Sequence, residues 1–286
     1  MKKISLNELP TYSHWAKDIL SSKKFKTQYK TEEAVLREFD IEKWGELLRR
    51  LSKLSINLCV EEVDLKYLSG IFNETFPTVF NGDFYLATGR EIFEFHLDLY
   101  QKTINPYINK SSCLVELGAG YGSKIFNLSE RNGFSELPLY AGELTNNGCR
   151  LISLLADSMN KKINVGHCDF KTLTIDEIDI PEDAIIFTSY AVHYVPELSE
   201  RFVDFFAKLK PLVVIHFEPC YEHHSPNDLY GMMCRKYIEI NDYNRNIVSI
   251  LKNSFVKNDI SLKITKNKLA SNPLLPISII EWSPLK

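Results

Sequence analysis

Residues 109–286 predict an α/β fold, a parallel sheet with helices on both faces, and three observations carry that expectation. From about residue 112, short apolar runs alternate with stretches long enough to hold a crossover helix. Gly118, Gly120 and Gly122 close the first run, as at a sharp strand-to-helix turn. The end of the chain differs, with two β-type runs at 260–265 and 277–282 that suit an antiparallel pair at one sheet edge.

The 286 residues are 44% apolar, 25% charged and 12% aromatic, which excludes a disordered or collagen-like chain and fits one large domain with an appendage. Lys and Arg number 34 against 37 Asp and Glu, a formal charge of −3. That balance argues against affinity through a generally basic surface, so neither nucleic acid nor an anionic membrane is an expected partner. No apolar run reaches the roughly 18 to 20 residues of a membrane helix. The opening residues lack the apolar stretch of a secretory signal. Cys59, Cys113, Cys149, Cys168, Cys220 and Cys234 are scattered, with no C-x-x-C pair, and read as reduced thiols of a cytoplasmic protein.

In chain order, residues 1–108 read as a mainly helical region, a cap or lid. Asp40, or Thr31 upstream, is a candidate cap for a helix with Trp44, Leu47, Leu48, Leu51 and Leu54 on one face. Residues 91–107 offer a second face through Ile92, Phe95, Leu99 and Tyr107, and the Phe-Asn-Gly-Asp-Phe stretch at 80–84 reads as a turn. Strands are expected at 113–117, 139–143, 163–165, 184–188 and 212–216. A helical insertion around 220–255 follows, with Met233, Tyr237, Ile240, Tyr243, Ile247 and Leu251 along one face. Its polar residues, Asn241, Asp242, Asn244 and Arg245, are available to wall a pocket.

The glycine stretch carries the functional reading. The first strand-to-helix turn of an open sheet is a natural ligand crevice. Ser123 stands where the dinucleotide fingerprint requires glycine, and no stretch fits a phosphate-binding P-loop. The pattern Glu116-x-Gly118-x-Gly120-x-Gly122 resembles motif I of the class I S-adenosylmethionine-dependent methyltransferases, small-molecule type. Three further positions follow in that family's order. They are Glu143 at the end of the second strand, the His-Cys-Asp-Phe turn at 167–170, and the stretch 188–197 after the fourth strand.

This resemblance spans 109–286 and implies a Rossmann-like, seven-stranded, mostly parallel sheet with an antiparallel final strand, and S-adenosylmethionine as cofactor. The implied cofactor site is Glu116, Gly118, Ala119, Gly120, Gly122, Glu143, Leu144, Cys168, Asp169, Phe170, Ser189 and Tyr190. Glu143 suits the ribose, because a carboxylate accepts two hydrogen bonds from a cis-diol. Asp169 suits the adenine amine, with an apolar neighbour stacked on the ring. The alternative for Asp169 is a residue that closes a turn.

Acceptor chemistry belongs beyond the ends of the fourth and fifth strands. His193 is a candidate general base, since its ordinary pKa lies near neutrality; the alternative is a histidine packed within its loop. Glu218 is a second catalytic candidate. Tyr194, His216, Glu218, Tyr221 and Glu222 are candidate substrate contacts. A buried carboxylate is costly unless paired, so Glu218 and Glu222 suit a cationic acceptor held by forked hydrogen bonds. The expected activity is N-methylation of a small cationic, amino-acid-like molecule such as arginine.

Thr188-Ser189-Tyr190-Ala191 stands where the methyltransferases of nucleic-acid bases carry Asn/Asp-Pro-Pro-Tyr, which argues against a base as acceptor. His216, Cys220, His223 and His224 do not have the spacing of a common zinc site, so no metal is expected. An O-methyltransferase of a natural product or sugar, a nicotinamide-dependent oxidoreductase and a binding protein without catalysis stay open. Oligomeric state is not fixed by these residues.

Overall fold

The computed structural model describes residues 1–21, 23–53, 58–67 and 74–285. Its strands are β1 (Lys2–Ile4), β2 (Thr75–Phe80), β3 (Asp83–Thr88), β4 (Leu114–Leu117), β5 (Leu139–Glu143), β6 (Ile163–Asp169), β7 (Thr174–Asp176), β8 (Ile185–Ser189), β9 (Val213–Pro219), β10 (Ile260–Ala270) and β11 (Ile277–Pro284). Among the described residues they make one sheet of eleven strands in the order β1-β3-β2-β10-β11-β9-β8-β4-β5-β6-β7. The expectation of seven strands is therefore corrected. Strands β4, β5, β6, β8 and β9 pair in parallel at the centre. Strand β11 runs antiparallel to β9 and to β10. The seven strands from β6 to β10 thus have the expected sense, with four more added at the edges.

Three of the added strands come from the segment read as mainly helical. Asn81 (φ 51°) and Gly82 (φ 87°) both adopt left-handed backbone, the geometry of a two-residue hairpin turn. They join β2 to β3 as an antiparallel hairpin. Phe80 and Val79 then pair with Leu269 and Ala270 of β10, which fastens the hairpin to the sheet.

Period-two alternation assigns the strand side chains to opposite layers. On β9, Val213, Ile215 and Phe217 pack toward the helices Gly89–Ile104 and Ser123–Ser129, with Tyr100, Ile104, Ile125 and Leu128. Val214 packs on the other face with Phe202, Phe206, Leu251 and Trp282. A third cluster joins Leu151, Ile152 and Leu155 to Leu47 and Leu51 from the N-terminal region.

Local signals set the helices in part as expected. Thr31 Oγ1 accepts from Ala34 N at 3.2 Å and caps Glu32–Leu36. The chain then continues through a wide-turned segment, Arg37–Gly45, into Glu46–Leu51. Asp40 is no cap, for its carboxylate accepts from Asn147 N at 2.8 Å. Leu54 lies outside the described residues. Helix Gly89–Ile104 begins at a Thr88–Glu91 capping box, and its buried stripe is Ile92, His96, Leu97, Tyr100 and Ile104. Phe95 and Leu99 are only half-buried, so the face expected there is rotated. The insertion divides into Leu229–Ile240 and Ile247–Val256, which pack into different clusters. No helix among the described residues is long and apolar enough to cross a membrane.

Candidate functional site

At the carboxyl ends of β4, β5, β6 and β8 lies a cavity of about 280 Å³. The glycine turn forms its floor. Gly118 (φ 76°) and Gly120 (φ 60°) both need left-handed backbone, which L side chains adopt at a cost. Gly118 N and Ala119 N donate to Gly142 O at 2.7 and 3.1 Å, anchoring the turn to β5. A methyl group on Gly118 would collide with Ala191 Cβ, and one on Gly120 would meet the Trp44 ring at 3.1 Å.

Ten of the expected cofactor residues line this cavity: Gly118, Ala119, Gly120, Glu143, Leu144, Cys168, Asp169, Phe170, Ser189 and Tyr190. Two do not. Glu116 is wholly buried beneath the turn, where its Oε2 accepts from Ile125 N at 3.0 Å. Burial pushes its carboxyl up to about 7, partly opposed by Lys124, whose Nζ lies 3.7 Å from Oε1. Gly122 starts the helix Ser123–Ser129 and faces Phe126 and Ile152.

Glu143 is already engaged. Its carboxylate accepts from Gly120 N at 2.8 Å, Thr145 N at 3.1 Å and Thr145 Oγ1 at 2.7 Å. The Leu144 amide also faces this carboxylate, so its oxygens are held in place by the turn and the start of the next helix. Burial raises its pKa, and those donors pull against the rise. Asp169 accepts from Lys171 N at 2.7 Å and Thr172 Oγ1 at 2.9 Å, closing a turn while its residue still lines the cavity.

Of the acceptor-side candidates, only Tyr194 lines this cavity. His193 is buried against Tyr194 and Tyr243, with ring centroids 4.1 and 4.7 Å away. Burial lowers its pKa, opposed by the Glu218 carboxylate, whose Oε2 lies 3.4 Å from its Nδ1. Glu218 is also fully buried, and both its oxygens accept backbone amides of Ala191, Val192 and His193. Burial opposes its charge, but the His193 ring and the Ala191 amide hold it below the ordinary glutamate range. The carboxylate that was expected to grip a substrate grips the loop after β8 instead.

The remaining three are spent elsewhere too. Alternation on β9 turns His216 into the apolar layer, where Thr188 Oγ1 and Trp282 Nε1 occupy its two nitrogens at 3.0 Å each. Tyr221 Oη donates to Glu239 Oε1 at 2.8 Å, and Arg235 stacks 3.9 Å from its ring. Glu222 Oε1 accepts from Ser249 N at 2.9 Å, while its buried Oε2 has no hydrogen-bond partner among the described residues and lies outside this cavity. Asn244 and Arg245 brace the 193–196 loop through its carbonyls rather than walling the cavity. Among the described residues, no group of three or more His, Cys, Asp or Glu could hold a metal ion.

The cavity also has a roof from the N-terminal region expected to cap it, through residues to which the sequence assigns no site role. Lys30, Val35, Phe39 and Trp44 line it from the N-terminal region. Trp44 Nε1 is buried and has no hydrogen-bond partner among the described residues. Trp44 had been placed on a helical face, but only the spatial return of that helix to the turn reveals its position over Gly120.

No family model and no curated protein sequence matches the chain. Solved structures do resemble it. Magnesium protoporphyrin IX methyltransferase from Synechocystis PCC 6803 with bound S-adenosylhomocysteine is 10% identical, with a TM-score of 0.52 over 89% of this chain and 100% of that one. The same enzyme with bound S-adenosylmethionine is 9% identical, with a TM-score of 0.50 over 89% of this chain and 98% of that one. Together with the strand order and the glycine turn at its centre, these likenesses show that the chain has the class I S-adenosylmethionine-dependent methyltransferase fold.

Proposed function

We propose that this protein is an S-adenosylmethionine-dependent methyltransferase acting on a small molecule. One observation carries the reading: the glycine turn, the Glu143 carboxylate and an unpartnered Trp44 Nε1 wall a single cavity at the parallel strand ends. These residues fit the cofactor. The Glu143 carboxylate lines the cavity as an acceptor for a ribose hydroxyl, Phe170 offers a face for adenine, and Trp44 Nε1 supplies a donor. Ser189 and Tyr190 border the end nearest the acceptor. When bound, the cofactor supplies an activated methyl group on a sulfonium sulfur.

The chain's own contribution is to hold the acceptor in line and keep water away. The expected cap narrows to residues 30–44, whose Phe39 and Trp44 form part of the roof over the cofactor cavity, while β1–β3 of the 1–108 segment join the sheet. N-methylation of an arginine-like acceptor loses its main support, since Glu218 and Glu222 both serve backbone amides. O-methylation of a small acceptor is favoured in its place. A formal charge of −3 supports an acceptor other than nucleic acid.

Calorimetric titration with S-adenosylmethionine, S-adenosylhomocysteine and NAD tests the proposal. Both methionine-derived ligands are expected to bind, with NAD silent. Binding of NAD alone would overturn the reading in favour of an oxidoreductase. Binding without transfer of a tritiated methyl group to any small acceptor would favour a protein that has kept the site and lost catalysis.

A further inference from the structure

A second cavity of about 380 Å³ adjoins the first, and Tyr190 and Lys124 line both. Its other walls are mainly apolar: Phe76, Ile92, Phe93, Leu97 and Tyr100. For scale, an apolar cavity of about 150 Å³ takes a benzene ring, so this one has room for one or two rings. Lys124 is the one charged residue among its described walls, and Glu116 lies beside it. Among its described walls no carboxylate faces in to meet a cation.

One polar atom on these walls has no assignment. His96 is 6% exposed, and its Nδ1 lies 2.8 Å from Ile92 O. A carbonyl only accepts, so Nδ1 carries the proton and Nε2 is left as a bare acceptor. His96 Nε2 has no hydrogen-bond partner among the described residues. A buried acceptor without a donor is costly, and a ligand hydroxyl would supply that donor. The seam between the cavities is held unusually as well. Tyr190 has φ 51°, fixed by a bond from its N to Phe217 O at 3.2 Å. Left-handed backbone at a bulky residue concentrates at functional sites.

We infer that this second cavity is the acceptor site, that it takes a neutral, ring-sized molecule bearing a phenol-type hydroxyl, and that His96 Nε2 is the base that receives the hydroxyl proton. This rests on the methyltransferase reading and names its substrate class. The hydroxyl oxygen forms a bond to the methyl carbon, the carbon–sulfur bond breaks, and its electron pair stays on sulfur as a neutral thioether. The hydroxyl proton passes to Nε2, so the positive charge moves from sulfur to imidazolium and is then lost to water. Burial holds the free imidazole at about 4, so it is neutral and ready at pH 7. So weak a base suffices, because the oxygen becomes a far stronger acid as the new bond forms.

The test uses the full chain with 2-naphthol and catechol as acceptor probes and arginine as the contrary probe. Expected are binding of 2-naphthol, tritiated methyl transfer to at least one phenol, and none to arginine. His96→Gln should cut kcat by about 100-fold or more while S-adenosylhomocysteine affinity stays within about 2-fold. Ile92→Trp, which fills the cavity, should abolish 2-naphthol binding and spare S-adenosylhomocysteine binding. If S-adenosylhomocysteine binds but neither phenol does, or if His96→Gln turns over at the parental rate, the inference fails while the methyltransferase reading stands. If S-adenosylhomocysteine itself does not bind the parent protein, the broader reading fails first.

Discussion

Glu218 holds Ala191 by its backbone: Ala191 N donates to both carboxylate oxygens, at 3.0 and 3.2 Å. Val192 N adds a third bond at 3.1 Å. These amides belong to the loop that carries Tyr190, Ala191 and Tyr194 into the cofactor cavity. Replacing the carboxylate by an amide puts a donor where donors already point. Glu218→Gln is therefore expected to cost about 1–3 kcal/mol of stability and to weaken cofactor binding and turnover together. Urea unfolding and calorimetry check this; a full loss of turnover with parental stability and cofactor affinity would restore Glu218 to a direct catalytic role.

Gly120 is the tightest point between the turn and its roof. A side chain there meets Trp44 at 3.1 Å and also the φ of 60°. Gly120→Val should leave the fold recognisable by circular dichroism and abolish detectable S-adenosylhomocysteine binding. Adding Trp44→Ala relieves the collision but not the backbone strain, so affinity should return only in part. Full recovery in the double variant would show that sterics alone decide this position.

The roof is latched to the sheet domain through Asp40 and Asn147. Asn147 N donates to Asp40 Oδ1, and Asn147 Nδ2 donates to Asp40 O, each at 2.8 Å. Asp40→Ala removes the first bond and keeps the second. A single hydrogen bond of about 0.5–1.5 kcal/mol converts to roughly a 2- to 12-fold loss of S-adenosylhomocysteine affinity. Stopped-flow measurements should show the change mainly as faster release. An unchanged release rate would mean that the segment does not gate the cavity.

How much of this was legible beforehand depended on whether the signal was local. The five central strands announced themselves as apolar runs, and residues 139–143 match β5 in full. The glycine turn was legible because left-handed backbone at three close positions leaves little choice of residue. The hairpin β2–β3 was seen only as its Asn81-Gly82 turn, because Pro77 interrupts a strand-like run and β2 meets β10 about 190 residues later. Glu218 and His216 were misread for another reason. Their chemistry invites a substrate, but the period of β9 sends both away from the cavity, and no spacing reveals which amides wait there. His96 was present as the polar member of a stripe at 92, 96, 100 and 104, spaced by four. The apolar residues Phe95 and Leu99 drew attention to the neighbouring face.

Buried charge gives the last expectation, in the cofactor-free protein. Glu116 is wholly buried, with its carboxyl raised to about 7 chiefly by burial. A glutamate in the unfolded chain titrates near 4.3, so between these values the folded state holds a proton that the unfolded state has lost. The stabilisation is complete below about 4.3 and disappears as pH rises through 7. Glu116→Gln mimics the protonated group, so it should match the parent at low pH and exceed it at pH 8, by on the order of 3 kcal/mol. His96 and His216 act with the opposite sign. Burial holds both near 4, against about 6.5 unfolded, so their contribution is lost as pH falls from 6.5 toward 4. Parent and Glu116→Gln should therefore share the histidine contribution, diverge between about pH 4.3 and 7 as Glu116 loses its proton, and run parallel above it. Urea unfolding across pH 4.5 to 8.5 separates the two, and a variant less stable than the parent at pH 8 would mean that Glu116 is held as a carboxylate that the structure needs.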